Sequence, residues 1–391
     1  MINKELYVGI DEFTLVLQSN SSFNYEEWNE EAYFIVREFL LLSKLEMIFG
    51  RALFTSTNLP AGYTSGWMFN DFPFYFAIAV NASFPRMGVI VKFSAHAWSE
   101  YCKRYDDKYS ESMTINKFLQ NTHSALYSER ISRIDMYADY FNYLDFTVSS
   151  IYEQLKNSSY IIQDCKGKVT RRKISAVEQD FGAETLYIGS KKNNTKCLMR
   201  IYNKKLEQQN RSGYRLQEAL SNDSWVRFEV SYRGDYAHII TDDLFDITTE
   251  IELSKYIATK ITDKYRFVES NEDNNEKFCS FTKELLDASD STLYPALKSV
   301  RPRDNSLYES VQHIICGSGL FPLLYKIGQI WGVDKEVEFL ELLYSHYNDV
   351  YRSKAQLDEK INLWLKKHTT TLSKQQFLES IYVDTESLSE E

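Results

Sequence analysis

The chain has no paired metal-binding motif. Its five cysteines, Cys102, Cys165, Cys197, Cys279 and Cys316, are scattered, odd in number and never in CxxC spacing. That distribution fits reduced thiols and argues against a zinc module or a disulfide framework. The six histidines are equally isolated, without an HxH or HExxH pair, so any metal has to rest mainly on carboxylates. Long apolar runs are missing too: FPFYFAIAV, at 72–80, falls far short of the roughly 20 residues that a spanning helix needs. The opening MINKELYVGIDEF lacks a basic segment leading into an apolar stretch and a small-residue cleavage site. The expectation is a cytoplasmic protein without a membrane segment. A surplus of positive charge is absent as well. The net charge of -10 argues at first against a nucleic-acid partner, because phosphate contacts come from Lys and Arg.

What is present modifies that last exclusion. The 391 residues, 43% hydrophobic and 26% charged, leave room for two or three soluble domains. Charge is unevenly spread: Cys165–Arg215 holds 13 Lys plus Arg against 4 Asp plus Glu. A concentrated basic segment in an acidic chain fits a nucleic-acid binder, and it also fits a solvated lysine-rich loop. Its basic side chains Arg171, Arg172, Lys173, Lys191, Lys192 and Lys196 are candidates for DNA contact. The turn YIGSKKNN has a single glycine and makes no P-loop. With 28 tyrosines in the chain, one tyrosine is informative only through its neighbours.

Strand-like patterns occur near 7–18, 67–80, 87–95, 130–141, 184–189, 197–204 and 225–233. Helical periods interrupt them at 24–46, 113–127 and 147–158. The reading is an α+β fold: a mixed, mostly antiparallel sheet with helices on one face, a catalytic polar face on the other, and a C-terminal helical region. The expected division is 1–267 for a catalytic domain, 268–305 for a polar linker and 306–391 for a helical domain. The segment LLYKIGQIWGVDKEVEFLELLY resembles a helix-turn-helix, yet its second helix carries Asp334, Glu336, Glu338 and Glu341. A structural helical hairpin is the better reading, since a groove-reading helix should not be acidic.

Three strands share one design. In KCLMRIYNKK, Arg200, Tyr202 and Lys204 alternate onto one face, and Met199 and Ile201 onto the other. In RISRIDMYADYF, Ile131, Arg133, Asp135, Tyr137 and Asp139 oppose Ile134, Met136 and Ala138; in WVRFEVSYRG, Arg227, Glu229, Ser231 and Arg233 oppose Val226, Phe228, Val230 and Tyr232. If the strands are neighbours, their polar faces merge. Carboxylates without histidine pairs suit Mg²⁺ or Mn²⁺, and cations near a tyrosine favour its phenolate and stabilise a transferring phosphoryl group. A solvent face laced with weak ion pairs is the alternative. Tyr137 and Tyr187 are rival nucleophiles, but neither lies between two cations in sequence.

Taken in order, GIDEFTLVL, MGVIVKFSA, RISRIDMYADYF, LYIGSKKNNTKCLMRIYNKKLEQ and WVRFEVSYRG resemble the replication initiation factor family, the initiators of rolling-circle plasmids and related relaxases of conjugative elements. The likeness continues through YRFV at 265–268 and SLYESVQHIICGSGLFPLLYKI at 306–327, and spans roughly 6–350. It implies a metal-dependent endonuclease and strand transferase that nicks an origin, joins the 5′ phosphate to tyrosine and leaves a 3′ hydroxyl as primer. The nucleophile's position falls on Tyr202 and the flanking cations on Arg200 and Lys204. Asp11, Asp135, Asp139 and Glu229 fall on the acids that would ligate Mg²⁺ or Mn²⁺. Arg133 and Arg227 are further DNA-contact candidates. Implied partners are origin DNA, as a hairpin or single strand, a host helicase and a second copy of the chain. Relatives serving conjugative transfer carry an N-terminal helix-turn-helix, and the early first strand here favours an initiator. A conjugative relaxase and a non-cleaving DNA-binding regulator are the alternatives.

Overall fold

The computed structural model describes residues 3–20, 27–69, 75–170, 172–179, 182–192, 195–211, 213–270, 277–297, 307–312, 314–315, 318–358, 361–362, 364–366 and 369. Alternating and β-branched runs form thirteen strands among them: β1 (Glu5–Ser19), β2 (Ala52–Thr55), β3 (Ser65–Phe69), β4 (Phe76–Val80), β5 (Val89–Phe93), β6 (Tyr127–Phe141), β7 (Tyr160–Gln163), β8 (Ile174–Gln179), β9 (Gly182–Ile188), β10 (Cys197–Asn203), β11 (Trp225–Arg233), β12 (Arg266–Glu269) and β13 (Lys277–Phe278). Ten of them make one sheet in the order β2-β3-β4-β5-β1-β6-β11-β10-β9-β8, antiparallel at the paired strands, and β13-β12-β7 make a smaller sheet. The two longest strands, β1 and β6, lie side by side at its centre and set the frame for the polar face.

Among the described residues ten α-helices accompany these sheets: α1 (Trp28–Leu42), α2 (Leu45–Phe49), α3 (Ala95–Tyr109), α4 (Ile115–Thr122), α5 (Val148–Lys156), α6 (Lys204–Asn210), α7 (Leu216–Ser221), α8 (Asp235–Asp246), α9 (Glu250–Lys264) and α10 (Ser280–Asp287). Side-chain oxygens fix several starts: Ser94 caps α3, and Thr147 with Ser150 and Thr249 with Glu252 form capping boxes on α5 and α9. Helices on one face bury Trp28, Ile35, Phe39, Phe118, Ile240 and Ile257 against Leu15, Val91, Met136, Val230 and Ile201 of the sheet. Each such side chain contributes roughly 1.5–3 kcal/mol by leaving water. The α+β architecture with a mostly antiparallel sheet and helices on one face is therefore present.

Several details differ from the sequence pattern. The stretch 67–80 is not one strand but two, β3 and β4, with 70–74 outside the described residues. The helix expected over 113–127 ends at Thr122, and Tyr127 already opens β6. Helix α3 lies outside the helical periods read from the sequence; its buried side is aromatic, with Trp98, Tyr101 and Tyr105 carrying the period. In β6 the alternation breaks: Arg133 pairs with Thr14 and Ile131 with Leu15, so Ser132 is an extra residue. This bulge turns Ile131 into the core beside Ile134, away from the polar face where strict alternation puts it. A second bulge lies in β1, where Asp11 and Glu12 face a single residue between Met136 and Ile134. Residues 277–297, read as linker, carry β13 and α10; Lys260 and Lys264 of α9 donate to the carbonyls of Pro295 and Leu297 at 3.0 and 2.9 Å.

The chain divides into two compact units, Met1–Lys298 and Ser299–Glu391. The second is helical: α11 (Leu307–Gln312), α12 (Leu320–Trp331), α13 (Asp334–His346), a π-helical turn at Tyr347–Tyr351 and α14 (Arg352–Gln356). Gly332, at φ 104°, ends α12, and Gly328 lets Glu336 of α13 approach where a Cβ would collide with it. These two glycines serve a tight helical hairpin. Among the described residues, no helix is long and apolar enough to cross a membrane.

Candidate functional site

Strand pairing alone assembles the polar face. Tyr202 of β10 lies opposite Arg227 of β11, and Arg227 lies opposite Asp139 of β6; Arg200 lies opposite Glu229, and Glu229 opposite Tyr137. Residues paired in this way have Cβ atoms about 4.5–5.5 Å apart, close enough for side chains to bond. The Tyr202 hydroxyl donates to Glu229 Oε2 at 3.1 Å. Arg200 Nη2 donates to both Glu229 oxygens at 2.8 Å and lies 3.5 Å from the Tyr202 hydroxyl. Lys204 Nζ lies 3.4 Å from that hydroxyl. The strand ends before Lys204, because Asn203 caps α6 by accepting from Leu206 N. Lys204 nevertheless reaches the phenol from the first helical turn, where Glu207 holds its ammonium at 2.6 Å.

Tyr202 is buried, with 4% of its surface exposed. Burial, reinforced by the Glu229 charge, pushes its phenol well above the ordinary value near 10, against the pull of Arg227 and Arg200. Burial also raises the Glu229 carboxyl, and the charges of Asp11 and Asp135 add to the rise while Arg200 opposes it. Lys204 is shifted down, first by burial and then by Arg227. The resting arrangement is thus a phenol hydrogen-bonded to a carboxyl group of raised basicity, with a lysine of raised acidity beside it. Arg200 Nε, shielded from solvent, has no hydrogen-bond partner among the described residues, a donor awaiting an acceptor.

The four acids considered as metal ligands are each engaged by arginine. Asp139 accepts from Arg227 Nε and Nη2 at 2.6 and 2.7 Å and from Arg215 Nη1 at 3.2 Å. Asp11, turned by the β1 bulge, pairs with Arg227 Nη1. Asp135 accepts from Arg133 at 3.0 and 2.5 Å, and Glu229 is held by Arg200. Burial works to raise Asp11, but Arg227, Lys204 and Arg200 together hold it below the usual carboxylate range. Among the described residues no group of three or more His, Cys, Asp or Glu side chains could hold a metal ion. As arranged, these acids do not fit a divalent cation, and charge on the polar face is balanced by guanidinium groups.

The basic candidates divide by burial. Arg227 has no exposed surface; it lies 3.8 Å from the centroid of the Tyr137 ring and serves as counter-ion to Asp11 and Asp139. Arg133 is committed to Asp135 and, at 2.8 Å, to Glu12. Arg172 donates to the Tyr265 hydroxyl at 2.9 Å and stacks on that ring. Lys196 is exposed and pairs with Asp235. Lys173, Lys191 and Lys192 are exposed, Lys191 lying over the Tyr187 ring. Arg171 lies outside the described residues. Arg215 and Glu207 were not singled out by the sequence pattern. Glu207 is legible as an i,i+3 partner of Lys204 once α6 is known, whereas Arg215 reaches Asp139 from a separate segment.

Comparison with known proteins falls on these same strands. Residues 129–313 match the family described as Replication initiation factor. The matched region contains β10, β11 and nearly all of β6, hence Asp135, Asp139, Tyr202, Arg227 and Glu229. Among solved structures, the rolling-circle replication initiator protein from Geobacillus stearothermophilus is similar, with a TM-score of 0.51 and 18% identity over 73% of this chain and 97% of that one. At that identity the likeness is one of fold. None of the curated proteins matches the chain significantly.

Proposed function

We propose that the chain is a tyrosine DNA strand transferase that starts rolling-circle replication at an origin. The observation that carries the reading is the Tyr202 hydroxyl, hydrogen-bonded to Glu229 and flanked by Arg200 and Lys204, inside the region that matches the Replication initiation factor family. In the proposed step Glu229 takes the phenolic proton as the Tyr202 oxygen attacks the scissile phosphorus in line. A bond forms between that oxygen and phosphorus, and the bond from phosphorus to the 3′ oxygen breaks. Lys204, whose proton is loosened by burial, gives a proton to the leaving 3′ oxygen. Arg200, with its unpartnered Nε, meets the charge that builds on the nonbridging oxygens. The product is a 5′ phosphotyrosine and a free 3′ hydroxyl, and reversal rejoins the strand.

No step is assigned to Mg²⁺ or Mn²⁺, because each of the four acids is paired with an arginine; the cation is a variable of the test. Origin DNA is the proposed substrate. The role calls for a host helicase in the cytoplasm and admits a second copy of the chain. One observation favours a second reading, a DNA-binding regulator that does not cut: Tyr202 is 4% exposed, so little of its surface is open to a phosphate.

The deciding experiment incubates wild type and Tyr202→Phe with supercoiled DNA carrying the element's own candidate origin, with Mg²⁺, with Mn²⁺ and with chelator. Nicking with a 5′ covalent adduct, absent from a Tyr202→Phe protein that still binds, is the expected result. Nicking by Tyr202→Phe would overturn the nucleophile. Binding without cutting under every condition favours the regulator.

A further inference from the structure

Beside Tyr202 a cleft of about 330 Å³ opens along β9, β10 and α6. Tyr187 lines it from β9, opposite Arg200, with the Lys191 ammonium 3.4 Å from its ring centroid. The amides of Asn203 and Asn210, the guanidinium of Arg211 and the carboxylate of Glu184 add donors and an acceptor. Asn203 already uses its carbonyl oxygen on Leu206 N at 3.0 Å, which leaves its NH₂ to offer. The volume is at the lower end of the roughly 300–1,000 Å³ usual for small-ligand sites, so it suits one base rather than a stack of them. An aromatic wall with amides and a guanidinium is the side-chain chemistry that holds unstacked bases of single strands.

We propose that this cleft takes one unstacked nucleotide of the single DNA strand, next to the phosphate that Tyr202 attacks, and so fixes where the cut falls. The inference rests on the strand-transfer reading. Arginine and lysine contacts to phosphate hold a strand in place without reading which base lies there. A base seated beside the phenol chooses the register, because it places a single phosphate in front of the Tyr202 oxygen.

The test measures binding of single-stranded oligonucleotides from the candidate origin to Tyr202→Phe by fluorescence anisotropy, with an abasic site moved one position at a time. One position weakens binding about tenfold while its neighbours change it less than about twofold. In Tyr202→Phe carrying Asn203→Ser and Asn210→Ala, that penalty falls below about twofold. Serine retains the helix cap, and Asn210 is exposed at the end of α6, so the fold is kept. If no position stands out, or the penalty is unchanged in the triple variant, the cleft is not a nucleotide site. Because binding is read on a protein without the nucleophile, failure of wild type to cut removes Tyr202 from the chemistry and still lets the abasic series judge the cleft. Where wild type does cut, the sensitive position must adjoin the mapped nick; a distant one overturns the proposal.

Discussion

Tyr202, Glu229 and Arg200 form a closed set in which each group's state depends on the other two. Glu229→Gln keeps the shape but cannot take a proton, so cleavage should fall by about 10²–10⁴ while strand binding persists. Burial places the Glu229 carboxyl above its ordinary range, and the step needs it ionised. Single-turnover cleavage by wild type is therefore present above that raised value and lost as pH falls through it. An acid limb that survives in Glu229→Gln would remove Glu229 as proton acceptor. Arg227 acts on stability instead. Arg227→Met leaves Asp11 and Asp139 without their shared counter-ion and should cost about 3–5 kcal/mol in urea denaturation, with much of the loss regained when both acids become Asn. The alternation of Arg200 and Tyr202 was legible from two-residue spacing. The direct bond from Tyr202 to Glu229 was not, since it depends on the register between β10 and β11. Arg227 lies on the polar face where alternation puts it, but alternation says nothing of the acids that enclose it there.

The elements hold this face in position through two irregularities. The β1 bulge at Asp11 and Glu12 turns Asp11 onto Arg227, and Gly9, two residues earlier, leaves room for Tyr137 under the Arg227 guanidinium. A Cβ on Gly9 would come within 2.7 Å of the Tyr137 hydroxyl. Gly9→Ala should therefore lower stability by about 1–3 kcal/mol and displace the Arg227 stack, read by urea denaturation and by slower cleavage. An unchanged urea midpoint would show that Tyr137 yields without cost. Strands with clear alternation, such as β6, β10 and β11, announce themselves in the sequence. Bulges do not, because one extra residue reverses the facing of all that follow. Hence Ile131 read as a polar-face residue and lies in the core. The short strands β2, β7 and β13 carry too few residues for a period to show.

At the scale of the molecule, the apolar core lies within residues 13–297, and the segment before Lys298 is bonded to α9 through Lys260, Lys264 and Asp263. A chain ending at Lys298 should unfold in one cooperative transition and still bind single strands; loss of that transition would mean that Ser299–Glu391 completes the first unit's core. The helical period of the C-terminal region was plain in the sequence, but the boundary at 298 was not, because polar composition does not distinguish a linker from a surface segment tied down by lysines. The burial of Tyr202 has a consequence for the whole protein under the strand-transfer reading. A nicking protein lives among the competing phosphates of a chromosome, and its reactive oxygen here is locked to its own proton acceptor. Opening that lock taxes every strand equally. A stray strand that grips weakly leaves again before the latch lifts, so the stability of the closed state becomes a safeguard against damage to the host's own DNA.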